Sequence, residues 1–439
     1  MRKYLKAEQE YKKFVLNNPE KAKKYYDKIN EQMKQSKAYY KGELIKYLTQ
    51  PRFFDNEDMR RFQNTLSTIF TIINKTITEY LNNPQFRKLF GFSTKMEELI
   101  KTDPGYEINV PISRIDLFYH HSENFKFCEF NGDGSSGMNE SNTIESIMTN
   151  SALLDNLKSI ESYHYMELFK SWADQILNIY KEFSNDHKPN IAIVDFEGLG
   201  VEAEFKIFQK LFGERGFECV IADPRELKYR HKKLYHNNLP IDLIYRRAVN
   251  QEVVARYDEV KDFIRAYKDH NVCVVGPFRS QILHNKILFS VLTNSNNQYF
   301  LAKHEIEFIK NHFPKTYPLN NKKICSKAIQ DKDKFVLKPM DSYASKGVFV
   351  GKDCLEKEWE KIVGNCYSKQ EYILQNFCPI PSINCISYDT GEFTQREFNT
   401  ILGIFAYDEK FSGLYTRTSD NSIIASQYDC RIQPNIIVN

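Results

Sequence analysis

At 439 residues the chain is longer than one hydrophobic core usually serves, and two or three domains are expected. Its 61 basic and 57 acidic residues leave a net charge of +4, which gives no global case for nucleic acid, and 41% hydrophobic content beside 27% charged is that of a soluble globular protein. No apolar run nears the length of a membrane span, the charged opening MRKYLKAEQEYKKF lacks a signal-peptide core, and nine dispersed cysteines without a C-x-x-C pair read as reduced thiols in a cytoplasm and argue against zinc.

Residues 1–105 read as a helical region. Lys, Glu, Gln and Tyr dominate the first fifty residues, and their basic face is read as solvated helix surface, with a nucleic-acid arm as the weaker alternative. From Asp55 to Leu81 apolar residues recur at helical spacing, among them Phe62, Leu66, Ile69, Ile73 and Ile77.

The stretch from Arg114 to Glu140, RIDLFYHHSENFKFCEFNGDGSSGMNE, is two apolar runs joined by a polar turn, which predicts a β-hairpin. A side-chain period of two puts Glu129 and Asn131 on one face, with Asp116 on the partner strand able to meet them. Two carboxylates and an amide oxygen suit Mg²⁺, which commonly shares its coordination with substrate phosphates. Gly132, Gly134 and Gly137, with Ser135 and Ser136, offer backbone N–H groups and hydroxyls where an anion can sit. The bland alternative is a hairpin ending in a glycine-rich loop with a few surface acids.

A helix is expected from Glu140 to Leu157, with helical style continuing to about Phe183. Beyond Pro189, PNIAIVDFEG, EAEFKIFQKLFGERG, ECVIAD and PIDLIYRR alternate strand and helix, which predicts βαβ units and a parallel sheet. Gly198 and Gly200 lack the full G-x-G-x-x-G pattern, so a small Rossmann-like substrate domain is expected rather than a dinucleotide site. Arg246 and Arg247 close the third strand, where ligands gather in open α/β sheets; they suit a carboxylate or phosphate, or equally a salt bridge with nearby acids. A further strand, NVCVVGP, leads into SQILHNKILFSVLTN, read as one helix with Lys286 near its start. The strands FVLKP and GVFVG then flank DSYASKG, a loop able to fold over a triphosphate with Lys338 and Lys346 at hand. Another strand, EYILQNF, is followed by alternating runs that carry Arg417 after a turn at Gly413.

Together these residues resemble the ATP-grasp family. Its V-x-K-P strand corresponds to Val336, Lys338 and Pro339, its phosphate loop to Asp341–Gly347, and its adenine-side strand to Tyr372–Phe377 with Gln375. The E-x-N sequence lies some two hundred residues before V-x-K-P, an order similar to the circularly permuted branch that includes glutathionylspermidine synthase and eukaryotic glutathione synthetase. That resemblance covers residues 106–439. Joined to the helical region 1–105, which matches no family by its motifs, it implies an α+β to α/β chain with the metal-binding hairpin and following helices at 106–187, the Rossmann-like domain at 188–275, and the nucleotide-binding lid and core at 276–439.

The resemblance also implies ATP, held by Lys286, Lys338, Ser345, Lys346, Gly347 and Gln375, and Mg²⁺ as two ions on Asp116, Glu129 and Asn131. Arg114 is expected to stabilise an acyl phosphate and Arg417 to contact phosphate. Ser135, Ser136, Glu140, Arg246 and Arg247 are the candidates for orienting substrate. The activity implied is an ADP-forming carboxylate–amine ligase acting on a small-molecule or peptide acid and an amine, with no nucleic acid or membrane partner, and with a homodimer among the expected states. A nucleotide-binding or regulatory protein without turnover and a small-molecule kinase are the rival readings. The chain departs from the branch after E-F-N, where Gly132-Asp133-Gly134-Ser135-Ser136 replaces A-D-T-P-T.

Overall fold

A computed structural model describes residues 2–36, 38–40, 42–184, 188–342, 345–389, 391–424 and 429–439. Among these residues a six-stranded antiparallel sheet forms the centre, with the order Cys430–Gln433, Lys410–Ser419, Glu392–Tyr407, Ile112–His121, Asn124–Asn131; Ser382–Asp389 pairs with the first half of the long Glu392–Tyr407 strand. The expected hairpin is its edge, with Asp116 directly opposite Glu129 and Arg114 opposite Asn131. Alternation then separates two faces. Ile115, Leu117, Leu402, Ile404 and Leu414 pack with Phe62, Leu66, Ile69 and Ile73 of the Asn56–Asn82 helix, while Arg114, Asp116, Glu129 and Arg417 project from the other side. Each buried large apolar side chain contributes about 1.5–3 kcal/mol to that seam. The helix starts sharply because Asp55 accepts from the N–H groups of Glu57 and Asp58, and Asp58 returns a bond to the Asp55 N–H.

A second unit is a four-stranded parallel sheet in the order Cys273–Val275, Leu243–Arg246, Ile191–Val194, Cys219–Ala222. Its strands are apolar, apart from Arg246 at the end of one, because both faces are covered. Ile191, Ile193 and Tyr245 pack with Trp172 and Phe208 of the helices Leu168–Phe183 and Glu202–Glu214, while Ala192, Val194 and Ile244 pack with Phe263 and Tyr267 of Lys261–Lys268. A third unit, the lid, is an antiparallel sheet ordered Thr316–Pro318, Tyr372–Asn376, Phe335–Pro339, Phe349–Val350. Phe335, Leu337 and Leu374 point into its own small core with Trp359, which leaves Val336, Lys338 and Gln375 facing the central sheet.

Several local expectations differ from the structure. The helix expected from Glu140 runs instead over Met138–Thr149, and the next one starts only at Leu168. The N-terminal region is helical at Lys3–Asn17, Pro19–Gln35 and Asn56–Asn82, yet it also gives a strand, Arg52–Asp55, that pairs in parallel with Asn435–Val438 at the other end of the chain. The segment read as one helix through Lys286 is two short helices, Gln281–His284 and Ile287–Leu292, because the Asn285 side chain caps the second by accepting from the Ile287 N–H. The turn placed at Gly413 lies at Asp408 and Glu409, which both adopt positive φ, and Gly413 sits inside the strand, where a Cβ would come 2.6 Å from Leu168. Leu227–Arg230, Lys233–His236 and Leu239–Ile241 form an antiparallel sheet that no motif had announced.

Candidate active site

Two cavities meet where the lid faces the central sheet. The narrow one, 80 Å³, is an apolar slot between Phe118, Ile401 and Ile424 on the sheet side and Val336, Val350 and Phe377 on the lid side. The wider one, 210 Å³, opens between the hairpin, the glycine-rich loop and the carboxyl ends of the parallel strands. Glu129, Ser345 and Arg417 line both, so one continuous space runs from an apolar slot into a charged cleft.

Lys338 lies at the junction because it occupies an inward position on the Phe335–Pro339 strand. Its Nζ donates to the Cys128 carbonyl at 3.0 Å. That carbonyl is available because Cys128 is the extra residue of a bulge: the pairing steps from Asp116–Glu129 to Leu117–Phe127 and leaves Cys128 unmatched. Lys286 sits at the break between the two short helices, donates to the Ser342 carbonyl at 3.0 Å and lies 3.4 Å from Glu129. Burial alone would raise the Glu129 carboxyl, but Lys286, Lys338, Arg417 and Arg114 outweigh it and hold the group at about 2. Gln375 donates to the Thr316 hydroxyl at 3.1 Å and lines the slot. Ser345, at positive φ, lines both cavities; Gly347 also has positive φ, and a Cβ there would meet the Tyr372 hydroxyl at 2.8 Å. Lys346 is solvent-exposed and lines neither cavity, and residues 343 and 344 of the expected phosphate loop lie outside the described residues.

Asp116 is the most enclosed group of the expected metal set. Arg114 grips it with two N–H groups, at 2.8 and 3.2 Å, Arg417 donates to it at 2.6 Å, and the Asn131 amide donates at 3.2 Å. Both of its oxygens are therefore occupied, and it orients the two arginines. Gly403 lies opposite Asp116 on the neighbouring strand, and a Cβ there would come 2.9 Å from the Arg114 Cδ and from the Asp116 Oδ1. A glycine inside a strand is the sequence signal of such a close approach. Among the described residues no three His, Cys, Asp or Glu side chains are grouped to hold a metal. Glu129, with the Asn131 amide oxygen left over once the amide N–H groups have bonded to Arg114 and Asp116, still fits Mg²⁺ that completes its shell with phosphate oxygens.

The substrate candidates divide. Ser135, Ser136, Glu140 and Arg247 line the wide cleft; Arg246 does not. Arg246 is paired with Asp133 at 2.8 Å and donates to the Gly276 carbonyl at 2.6 Å, so it binds the glycine-rich loop to the parallel sheet. Arg247 donates to the Ser135 carbonyl and lies 3.4 Å from Glu204. Glu204, which sequence reading passed over, accepts from the N–H groups of Gly137 and Asn139 at 3.1 Å and so seats the start of the Met138–Thr149 helix. Asp195, also not foreseen, lines the cleft at the end of the first parallel strand, and burial pushes its carboxyl up to about 6 despite Arg247. Three buried polar atoms of cleft residues have no hydrogen-bond partner among the described residues: Arg417 Nε, Glu140 Oε2 and His284 Nδ1. Orphaned donors and acceptors converging on one cavity are the mark of a ligand site.

With this geometry in place, comparison with known proteins gives the class. The chain matches the glutathionylspermidine synthase preATP-grasp family over residues 21–438 and belongs to it. The match reaches into the N-terminal helices, further than the motifs alone had carried the resemblance. A solved glutathione synthetase-like effector from Globodera pallida, in its apo form, is 13% identical with a TM-score of 0.61, covering 95% of this chain and 96% of that one, and shares the fold. Lower similarity is found to a D-cycloserine synthetase (12% identity, TM-score 0.30, 56% and 74% covered) and to the D-alanyl-alanine synthetase A of Vibrio cholerae O1 biovar eltor (10%, 0.28, 48% and 68%). No curated protein matches the chain. Among the described residues no helix is long and apolar enough to cross a membrane.

Proposed function

We propose that the chain is an ATP-dependent, ADP-forming carboxylate–amine ligase on a circularly permuted ATP-grasp scaffold. The observation that carries this reading is the junction of the two cavities: an apolar slot opens, past Lys338 and Glu129, into a cleft whose walls hold Arg114, Arg417 and Arg247. The base would lie between Val336, Ile401 and Ile424, with Gln375 at its edge. Lys338 and Lys286 would take the phosphates, with backbone N–H groups around Ser345 and Gly347. Glu129 and Asn131 would hold Mg²⁺, whose role is to neutralise charge on the transferring phosphoryl group. Asp116 aims the two arginines at the place where an acyl phosphate would form, so their positive charge is fixed before the reaction begins. The parallel sheet is the substrate side, with Arg247 placed for an acid and Asp195 and Glu140 for an amine.

One observation favours a second reading, a nucleotide-binding protein without turnover. Asp116 is saturated by Arg114 and Arg417, which leaves Glu129 as the carboxylate available to metal. ADP release separates the two. The full chain with ATP, MgCl₂, glutathione and spermidine, then with other peptides and amines, should release ADP in step with an amide product. Glu129→Gln and Lys338→Ala should each lower that rate by about 100-fold or more. Nucleotide binding without ADP release from any acid–amine pair favours the second reading.

A further inference from the structure

We propose that Glu140 is the group that takes the proton from the attacking amine. The proposal rests on the ligase reading and assigns one chemical step of it to one side chain. Glu140 stands in the first turn of the Met138–Thr149 helix, is 7% exposed, and lines the wide cleft. Its Oε2 has no hydrogen-bond partner among the described residues. A buried carboxylate oxygen left in that state is costly unless a ligand donates to it. At the helix start Glu204 accepts from the Gly137 and Asn139 N–H groups, while the Glu140 carboxylate accepts from its own backbone N–H.

The surrounding charges agree with a proton-accepting role. Glu204 faces Glu140 from the Glu202–Glu214 helix, Arg114 from the hairpin, Arg417 and Tyr415 from the Lys410–Ser419 strand, and Cys430 from the strand beyond. Burial first, and Glu204 second, raise the carboxyl to about 7, against the hydrogen bond from its own backbone N–H and the charges of Arg114 and Arg417. An acid of that strength is half ionised at neutral pH, the best compromise for accepting a proton there. The same two arginines hold Asp116 at the reacting end of the cleft. Asp195, the other cleft-lining acid with a raised carboxyl, instead faces Arg247, Asp133 and Arg246. Of the two, Glu140 is the one that faces Arg114 and Arg417, the arginines that hold Asp116.

In the step itself an alkylammonium R–NH₃⁺ gives one proton to Oε2. The freed lone pair forms the C–N bond at the carbonyl carbon of the acyl phosphate. The bond from that carbon to the phosphate oxygen breaks, phosphate leaves with the electron pair, and it takes the second nitrogen proton as the amide forms.

The experiment compares nucleophiles on the full chain with ATP, MgCl₂ and glutathione across pH. Spermidine must lose a proton before it attacks. Hydroxylamine, largely uncharged at neutral pH, need not. Glu140→Gln should keep hydroxamate formation within about threefold of the native chain while amide formation falls about 100-fold. The acid limb of the native amide-forming profile, centred near pH 7, should vanish in Glu140→Gln, and Glu140→Asp should restore part of the rate with a limb at lower pH. Equal loss with both nucleophiles, in Glu140→Gln and Glu140→Asp alike, would make the residue a structural support and overturn the proposal, as would amide formation unchanged in Glu140→Gln. No ADP from the native chain with either nucleophile overturns the ligase reading, and this inference with it.

Discussion

Two adjacent arginines close one strand, and the structure gives them different tasks; Arg246 is the one whose removal or isolation should cost stability. Its side chain and that of Asp133 are each 1% exposed and lie 2.8 Å apart. Asp133 also accepts from the backbone N–H of Asn250. Asp133→Ala therefore strands a buried guanidinium and orphans an amide donor together. Losing one partner of a buried pair costs about 3–5 kcal/mol, and an unsatisfied donor about 1–3 kcal/mol more. Arg246 keeps its bonds to the carbonyls of Gly276 and Ala248, which shield part of the loss, so about 4 kcal/mol is expected. Asp133→Leu with Arg246→Met should recover part of this, because two packed apolar side chains leave no charge unpaired while the Asn250 N–H stays without its acceptor. Urea unfolding followed by the fluorescence of Trp172, which packs on Tyr245 of the same strand, reads the unit concerned; Trp359→Phe removes the signal of the lid. A single variant within about 1 kcal/mol of the native chain, or a double variant no more stable than the single, would refute the reasoning.

Gly403→Ala should disturb the site without replacing a ligand-binding side chain, because the added methyl falls 2.9 Å from Arg114 and Asp116. A loss of about 1–3 kcal/mol in stability, with ADP release falling more steeply than nucleotide binding, is expected; unchanged kinetics would count against the arginine-aiming role of Asp116. Glu145 gives a pH dependence. Burial raises its carboxyl from 4.5 to about 7, against hydrogen bonds from Asn435, Ser141 and Asn142. Between those values the folded chain holds a proton that the unfolded chain has released, so the group's contribution is full below about pH 4.5 and is lost as pH rises to about 7, about 3 kcal/mol in all. Urea unfolding at both ends of that window should show Glu145→Gln gaining on the native chain by that amount as pH rises. A constant difference between the two would contradict the assignment.

The hairpin was readable because its information is local. A period of two and a polar turn suffice to place Asp116 against Glu129, and the same alternation turns Lys338 inward. Whatever depends on distant segments was not readable. The bulge at Cys128 becomes visible only against the register of the partner strand, and the pairing of Arg52–Asp55 with Asn435–Val438 joins the two ends of the chain. Nothing in the pair Arg246-Arg247 tells which one meets Asp133, since strand alternation sends them to opposite sides and that acid arrives from a loop more than a hundred residues earlier. Asp116 looked like a metal ligand by residue type; that two arginines occupy it follows from Arg417 reaching it across the sheet. Gly403 did carry a signal, a glycine inside an apolar strand run, and points to the same place.

The central claim is that the slot between lid and sheet holds the nucleotide. Isothermal titration of ATP with MgCl₂ into the native chain, Lys338→Ala and Val336→Trp tests it most directly, since Lys338 is placed for phosphate and Val336 lines the 80 Å³ slot that the larger side chain would fill. The account predicts binding by the native chain and affinity at least about tenfold weaker in each variant, with the fold intact by circular dichroism. Native-like ATP binding in both variants would place the nucleotide elsewhere and contradict it.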